Sequence, residues 1–278
     1  SYSVTGVQTC ALPISGRPGA RSGPQGIRAA TYGIEDYSPY QDRDIANVRL
    51  SDIGDAELPY GDTEATLACI GEEYRALMIA GAKCMAFGGE HLVTWPLIEA
   101  VHERYGSDLF VIQLDAHADL REDYLGVKYS HATVMKWVSG LVGRENTAGI
   151  GIRSGTGYEW DILRAHPNYF SGALGRPLDE FTRWAADALK DRKVYITVDL
   201  DVFDPGIMPG TGTPEPGGIS FKDFIGIVHS LENADIIGAD IVELAPDYDH
   251  SGVSQYLAGV VLRELLLLMG RHHAETAR

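Results

Sequence analysis

The 278-residue sequence predicts an α/β fold, built as a three-layer α/β/α arrangement around a central, mostly parallel sheet. Three observations carry that expectation. Short apolar runs recur from Lys83 onward and are too continuous for strands with one face in water. Stretches with apolar residues at helical spacing alternate with them. Acidic residues and histidines gather where the apolar runs stop, which is where open parallel sheets hold their chemistry.

Taken in order, residues 4–14 (VTGVQTCALPI) resemble the in-frame translation of a sequencing adapter and lack the basic start and apolar core of a signal peptide. Residues 1–14 are therefore expected to be non-native, with a single domain over 15–278 that lacks its natural first strand. Glycine and proline punctuate the opening of 17–30, which passes into a short helical pattern. Residues 32–60 carry many Asp, Tyr and Pro and little periodicity, so loop with short strands is expected there. Leu67, Ile70, Tyr74, Leu77 and Met78 then recur at helical spacing, with Asp62 or Thr63 as the cap and Gly81 as the stop.

Beyond this helix the apolar runs place strands at 83–87, 109–114, 147–152, 193–198 and 235–242. The patterns between them place helices at about 92–105, 132–141, 157–165, 179–189 and 220–231, and a last helix at 251–269 closes the chain. No internal repeat, low-complexity tract or linker divides it.

Composition narrows the function. A net charge of −16 with no Lys/Arg stripe argues against nucleic acid or an anionic membrane surface as partner, and suits a cationic small molecule. No apolar run approaches the roughly 20 residues that span a bilayer. Cys10, Cys69 and Cys84 make no metal knuckle or redox pair, and so sparse a set suits a reduced, cytoplasmic protein.

The sharpest segment is 111–120, VIQLDAHADL. Asp115, His117 and Asp119 stand two residues apart, so in extended geometry all three side chains leave one face of the backbone. Carboxylate with imidazole suits Mn²⁺, Zn²⁺ or Fe²⁺ better than Ca²⁺. Leu120 stands where an EF-hand needs glycine, which sets a calcium loop aside. Alone, the pattern also describes a strand end facing water, but three other strand ends repeat it. Strand 83–87 runs into Gly88-Gly89-Glu90-His91, strand 193–198 into Asp199-Leu200-Asp201, and strand 235–242 into Glu243. Two histidines and four aspartates exceed what one ion with an open position needs, and fit two ions sharing carboxylates. Paired ions make hydroxide near neutral pH, so hydrolysis is the chemistry implied.

The segments GGEH, DAHADL, SHAT, DLDVFDPGIMPGTGTPEPGG and DIVELAPDYDHS resemble, in this order, the signature segments of the ureohydrolase family, the arginase and agmatinase group. GGEH with DAHADLRE, YSPYQDRD and VELAPDYDHS are most similar to the bacterial agmatinases. The resemblance implies an arginase-like fold and two Mn²⁺. One ion would be held by His91, Asp115, Asp119 and Asp199, the other by His117, Asp115, Asp199 and Asp201, with Asp115 and Asp199 bridging. It also implies that Glu243 grips a substrate guanidinium and that His131 binds substrate or shuttles protons at the mouth. Hydroxide bridging the ions would attack the guanidinium carbon of agmatine, with Asp119 relaying a proton to the departing amine, to give putrescine and urea. A homo-oligomer, trimer or hexamer, is implied as well.

Each assignment has a plainer counterpart. Glu243 would serve as a capping carboxylate, and His131 as a helix-start histidine held by Ser130. The other histidines, at 102, 166, 229, 250, 272 and 273, read as surface residues, with His250 nearest the site. Ala118 and Ala132 stand where relatives often carry threonine and glycine, a change of packing. Guanidinobutyrate or arginine are alternative substrates, because Arg121 and Lys128 lie close enough in sequence to meet a carboxylate. An inactive relative with a damaged N-terminus is a third reading. Phosphoester hydrolysis lacks a phosphate cradle, and GIGIRSG near Gly149 has the wrong spacing for a dinucleotide loop.

Overall fold

The computed structural model describes residues 2–6, 17–59 and 61–271. The strands are β1 (Tyr2–Gly6), β2 (Tyr37–Ser38), β3 (Arg43–Asp44), β4 (Leu50–Asp55), β5 (Lys83–Phe87), β6 (Leu109–Leu114), β7 (Thr147–Ile150), β8 (Tyr169–Phe170), β9 (Lys193–Asp199) and β10 (Asp235–Val242). The helices are α1 (Gly23–Thr31), α2 (Thr63–Ile79), α3 (Thr94–Tyr105), α4 (Val134–Val142), α5 (Gly157–Arg164), α6 (Leu178–Ala188), α7 (Phe221–Ser230) and α8 (Val253–Met269). Apart from the small antiparallel pair β2 and β3, the strands form one sheet in the order β4-β1-β5-β10-β9-β6-β7-β8, and every neighbouring pair runs parallel.

The central strands are buried on both faces, which explains their unbroken apolar character. Along β6, Phe110, Ile112 and Leu114 enter the cluster containing Ile27 of α1, Phe181 of α6, Phe224 of α7 and Leu265 of α8. Leu109 and Val111 enter the opposite cluster with Ile70 of α2, Ile98 of α3, Val138 of α4 and Leu163 of α5. Alternation along an extended chain thus feeds two helical layers from one strand. Helix starts are set locally. Asp62 accepts from the Ala65 amide at 3.0 Å, while Thr156 with Glu159 and Ser220 with Asp223 form reciprocal capping boxes.

Strands 83–87, 109–114 and 235–242 have the expected bounds. The strand expected over 147–152 stops at Ile150 because Gly151 turns the chain at φ +90°. The last helix starts at Val253 and not at residue 251, because Asp249 accepts from the Ser251 and Ser254 amides and holds a turn there.

A strand occupies the opening segment. Tyr2–Gly6 is an inner strand, paired with β4 on one side and β5 on the other. Backbone N–H and C=O groups between two parallel neighbours form a ladder whatever side chains the segment carries, so its sequence did not announce the strand. Residues 7–14 of the adapter-like stretch lie outside the described residues, as do His272 and His273.

Candidate active site

The four strands that end in polar clusters, β5, β10, β9 and β6, are consecutive in the sheet. Parallel orientation brings their carboxyl ends to one edge, so residues from His91 to Glu243 converge without any long reach.

From β5 the chain leaves through Gly88, whose amide donates to the Ile241 carbonyl at 2.8 Å. A Cβ on Gly88 would stand 2.6 Å from both Val242 Cγ1 and Val93 Cγ2, so only glycine allows this crossing. His91 then opens a single 3₁₀ turn ahead of α3 and is fully buried. Its Nδ1 lies 3.1 Å from Asp115 Oδ2, 3.1 Å from Asp119 Oδ2 and 3.4 Å from Asp199 Oδ2.

The two-residue spacing in DAHAD works differently from the extended geometry expected. Strand β6 ends at Leu114. Asp115 Oδ1 accepts from the His117 amide at 2.7 Å, which bends the chain, and Asp119 sits in the left-handed region at φ +54°. The bends still bring the three side chains together. His117 Nδ1 lies 2.9 Å from Asp201 Oδ2 and 3.6 Å from Asp115 Oδ1. Asp199 ends β9 and accepts from the Asp201 amide at 2.9 Å, and Asp201 in turn accepts from the Ala116 amide at 3.0 Å.

Two groups of potential metal donors result: His91, Asp115 and Asp199, and Asp115, His117 and Asp201, each with ligand atoms within 4.8 Å of one another. Asp115 belongs to both. Asp119 joins the first through His91, whereas Asp199, expected in both, falls only in the first. Electrostatics favour cations here. Burial together with the charges of Asp201 and Asp115 drives the Asp199 carboxyl well above the usual carboxylate range. Burial and the Asp115 charge raise Asp119 to about 6. Burial opposes a charged His117, yet Asp201 and Asp115 push it up to about 12. Repelling carboxylates facing two imidazoles are relieved by protons or, better, by divalent ions. The buried His91 Nδ1 has no hydrogen-bond partner, which fits a nitrogen whose lone pair belongs to a metal. The donor set is therefore arranged for two metal ions.

Glu243 stands at the rim, almost fully buried and in the left-handed region at φ +63°. Its amide donates to the Gly89 carbonyl at 2.8 Å, and its Oε1 accepts from the His91 amide at 3.1 Å. Burial, then the neighbouring Glu90 charge, pushes its carboxyl up to about 8. The capping role is thus real, and it fixes the carboxylate at the site. His131 starts the turn before α4, with Ser130 as its cap. Its Nδ1 lies 3.4 Å from Glu90 Oε1 and 3.3 Å from Ser130 Oγ, and the Tyr124 ring meets it edge-on at 5.0 Å. Sequence reasoning passed over Glu90, a buried carboxylate with neither oxygen hydrogen-bonded, and Gln113, whose Nε2 donates to Asp115 Oδ2 at 2.8 Å. A polar residue inside an apolar strand, two positions before a strand-end acid, was the available signal for Gln113. His250 is exposed.

The sequence profile of the arginase family matches residues 1–268. The chain belongs to the arginase family. An agmatinase from Bacillus anthracis is 42% identical over 257 residues, covering 91% of this chain and 87% of that protein. The crystal structure of a candidate agmatinase from Clostridium difficile superposes with a TM-score of 0.91 at 41% identity, covering 98% of each chain. Proclavaminate amidino hydrolase from Streptomyces clavuligerus follows with a TM-score of 0.85 at 28% identity, covering 98% of this chain and 92% of that one. This arginase-family chain is accordingly an agmatinase-like ureohydrolase, and the three-layer α/β/α fold is the family's. Among the described residues no helix is long and apolar enough to cross a membrane.

Proposed function

We propose that the chain hydrolyses agmatine to putrescine and urea with two Mn²⁺. His91, Asp115, Asp119 and Asp199 would hold one ion, and His117, Asp115, Asp199 and Asp201 the other. The observation that carries this reading is the convergence of those six side chains, with Glu243 beside them, at the ends of four consecutive strands. When bound, the ion pair lowers the pKa of a shared water so that hydroxide is available near neutral pH.

The protein's own groups do the rest. The Glu243 carboxylate accepts two parallel hydrogen bonds from the planar guanidinium and sets its carbon toward the donor cluster. A new C–O bond forms at that carbon, and the C–N bond to the aliphatic amine breaks. Asp119 takes the proton that the attacking water gives up and passes it to the departing nitrogen, which leaves as putrescine's amine. His131, a neighbour of Glu90, binds substrate at the mouth and moves protons there.

Agmatine is favoured over acid-bearing substrates by the state of two basic residues. Arg121 Nε lies 3.5 Å from the buried Glu159 and its guanidinium covers the Tyr124 ring, while the Lys128 ammonium rests on the Tyr129 and Trp137 rings. Neither is left to greet a substrate carboxylate. The likeness to an amidino hydrolase named for another compound makes guanidinobutyrate or arginine the second reading. Urea release from agmatine, guanidinobutyrate and arginine, measured on Mn²⁺-loaded chain, tests both. Preference for agmatine is expected, and no urea from any of the three would overturn the enzyme reading.

We further infer a cytoplasmic homo-oligomer, trimer or hexamer, which light scattering tests; Cys69 and Cys84 are free thiols, as a reducing compartment requires. Residues 15–278 are read as one catalytic domain, and residues 1–14 as a non-native segment whose backbone supplies β1.

A further inference from the structure

Three strands carry one polar residue each at the same level of the sheet, directly beneath the donor cluster. Asp240 of β10 pairs in register with Thr197 of β9, which pairs in register with Gln113 of β6. All three are buried, a costly placement unless each polar group has a partner. Gln113 serves Asp115 directly. The other two form a chain: the Thr197 hydroxyl donates to Asp240 Oδ1 at 2.7 Å, the Tyr195 hydroxyl donates to Asp240 Oδ2 at 2.8 Å, and Thr197 Oγ1 lies 2.9 Å from His91 Nε2.

Proton counting gives this chain a direction. A threonine hydroxyl has one proton, and here it is committed to Asp240. Toward His91 the oxygen therefore accepts, so Nε2 must be the protonated ring nitrogen. In the neutral imidazole that a metal requires, Nδ1 then carries the lone pair, close to Asp115, Asp119 and Asp199. We propose that Asp240, acting through Thr197, is a positioning residue that locks His91 in the tautomer and orientation in which Nδ1 is a metal donor. The inference rests on the two-metal reading above and extends it to residues that touch neither ion nor substrate. It also gives a role at the site to a buried carboxylate three residues before Glu243. A metal-ligating histidine gains basicity and a fixed ring when its second nitrogen donates to an acceptor that is itself anchored to a carboxylate.

The test compares the full chain with Thr197→Val, Thr197→Ser and Asp240→Asn, titrating Mn²⁺ against a competing chelator. Thr197→Val is nearly isosteric and removes the relay, together with the 3.3 Å contact between Thr197 Oγ1 and Thr94 Oγ1. It is expected to weaken one of the two Mn²⁺ binding steps by roughly ten- to a hundredfold while the step that depends on His117 stays within about threefold. Thr197→Ser restores the weakened step, and Asp240→Asn lies between. Both steps unchanged in Thr197→Val, or both weakened equally, overturns the proposal. Should the variants fail to fold, ¹⁵N-histidine NMR of the Zn²⁺-loaded wild-type chain decides alone: a proton on His91 Nε2 supports the relay, and a proton on Nδ1 or metal bonded at Nε2 overturns it. Neither measurement reads urea, so a chain inactive on every guanidino substrate defeats the proposed function and leaves this test standing.

Discussion

Replacing Glu243 by glutamine separates the anchoring of this side chain from its charge. Glu243 Oε1 already accepts from the His91 amide at 3.1 Å, and a glutamine carbonyl preserves that contact and the side chain's volume. What is lost is the anionic oxygen offered to the substrate, and what replaces it is an NH₂ group facing guanidinium N–H donors. A hydrogen bond to a charged group contributes about 1.5–3 kcal/mol, and up to two are lost at a buried carboxylate. About 3 kcal/mol corresponds to roughly a hundredfold loss of kcat/KM. Guanidinium binding precedes and accompanies the chemistry, so KM rises and kcat falls together. The assay is steady-state urea release from agmatine, with bound metal measured on the same samples. An E243Q chain with full metal content and kcat/KM within about threefold of wild type would refute the guanidinium role, since removing a charged partner costs more than that.

Chelation followed by heating gives a second expectation. Without cations Asp115, Asp119, Asp199 and Asp201 face one another and two histidines, so the stripped chain should melt several degrees lower and release no urea. Mn²⁺ in excess of its Kd should reverse both, as mass action on the folded state requires. A third concerns acid. Asp235 sits between Lys193 Nζ at 2.6 Å and Lys83 Nζ at 2.7 Å, joining three strands at the edge of the sheet opposite the site. Burial pushes its carboxyl up, but the two lysines outweigh it and hold it below the usual range. Its contribution is therefore present above the unfolded carboxylate pKa and is lost as pH falls through the lower folded value. Asp235→Asn should cost about 1 kcal/mol near neutrality and less at low pH, because the pair is partly exposed. Urea denaturation at pH 7 and pH 3 measures the difference, and equal losses at both pH values would contradict the assignment. Deleting residues 1–14 should open the sheet between β4 and β5, with β4 becoming protease-sensitive while Leu109–Leu114 and its neighbours stay protected. Limited proteolysis reports the outcome.

The interior of this fold was legible because its strands are mostly apolar. Lys83–Phe87, Leu109–Leu114 and Asp235–Val242 are buried on both faces, and turn residues mark their ends. The margins were not. Leu50–Asp55 is largely exposed and carries no alternation, and Tyr169–Phe170 is too short for any period to appear. In the site, Asp115, His117 and Asp119 announce themselves by their spacing and Asp199 and Asp201 repeat it, whereas Glu90, Gln113, Thr197 and Asp240 are single polar residues that no spacing singles out, even where they fall inside a signature segment. Their meaning depends on which strands lie side by side. Thr197 meets Asp240 only because β9 and β10 are neighbours, a fact set by the crossovers and not by local pattern.

The strand order has a consequence for how the enzyme comes into being. Segments β5 and β6 are synthesised early and carry His91, Asp115, His117 and Asp119, yet they do not touch in the finished sheet. The space between them is reserved for β9 and β10, which leave the ribosome last and bring Asp199, Asp201 and Glu243 with them. A nascent chain shorter than about 200 residues thus exposes two unpaired strand edges around an incomplete ligand set, a state prone to aggregation and dependent on long-range closure. Newborn chains should therefore acquire metal only after translation has passed the final strand, making ion uptake a timer for completion of the polypeptide.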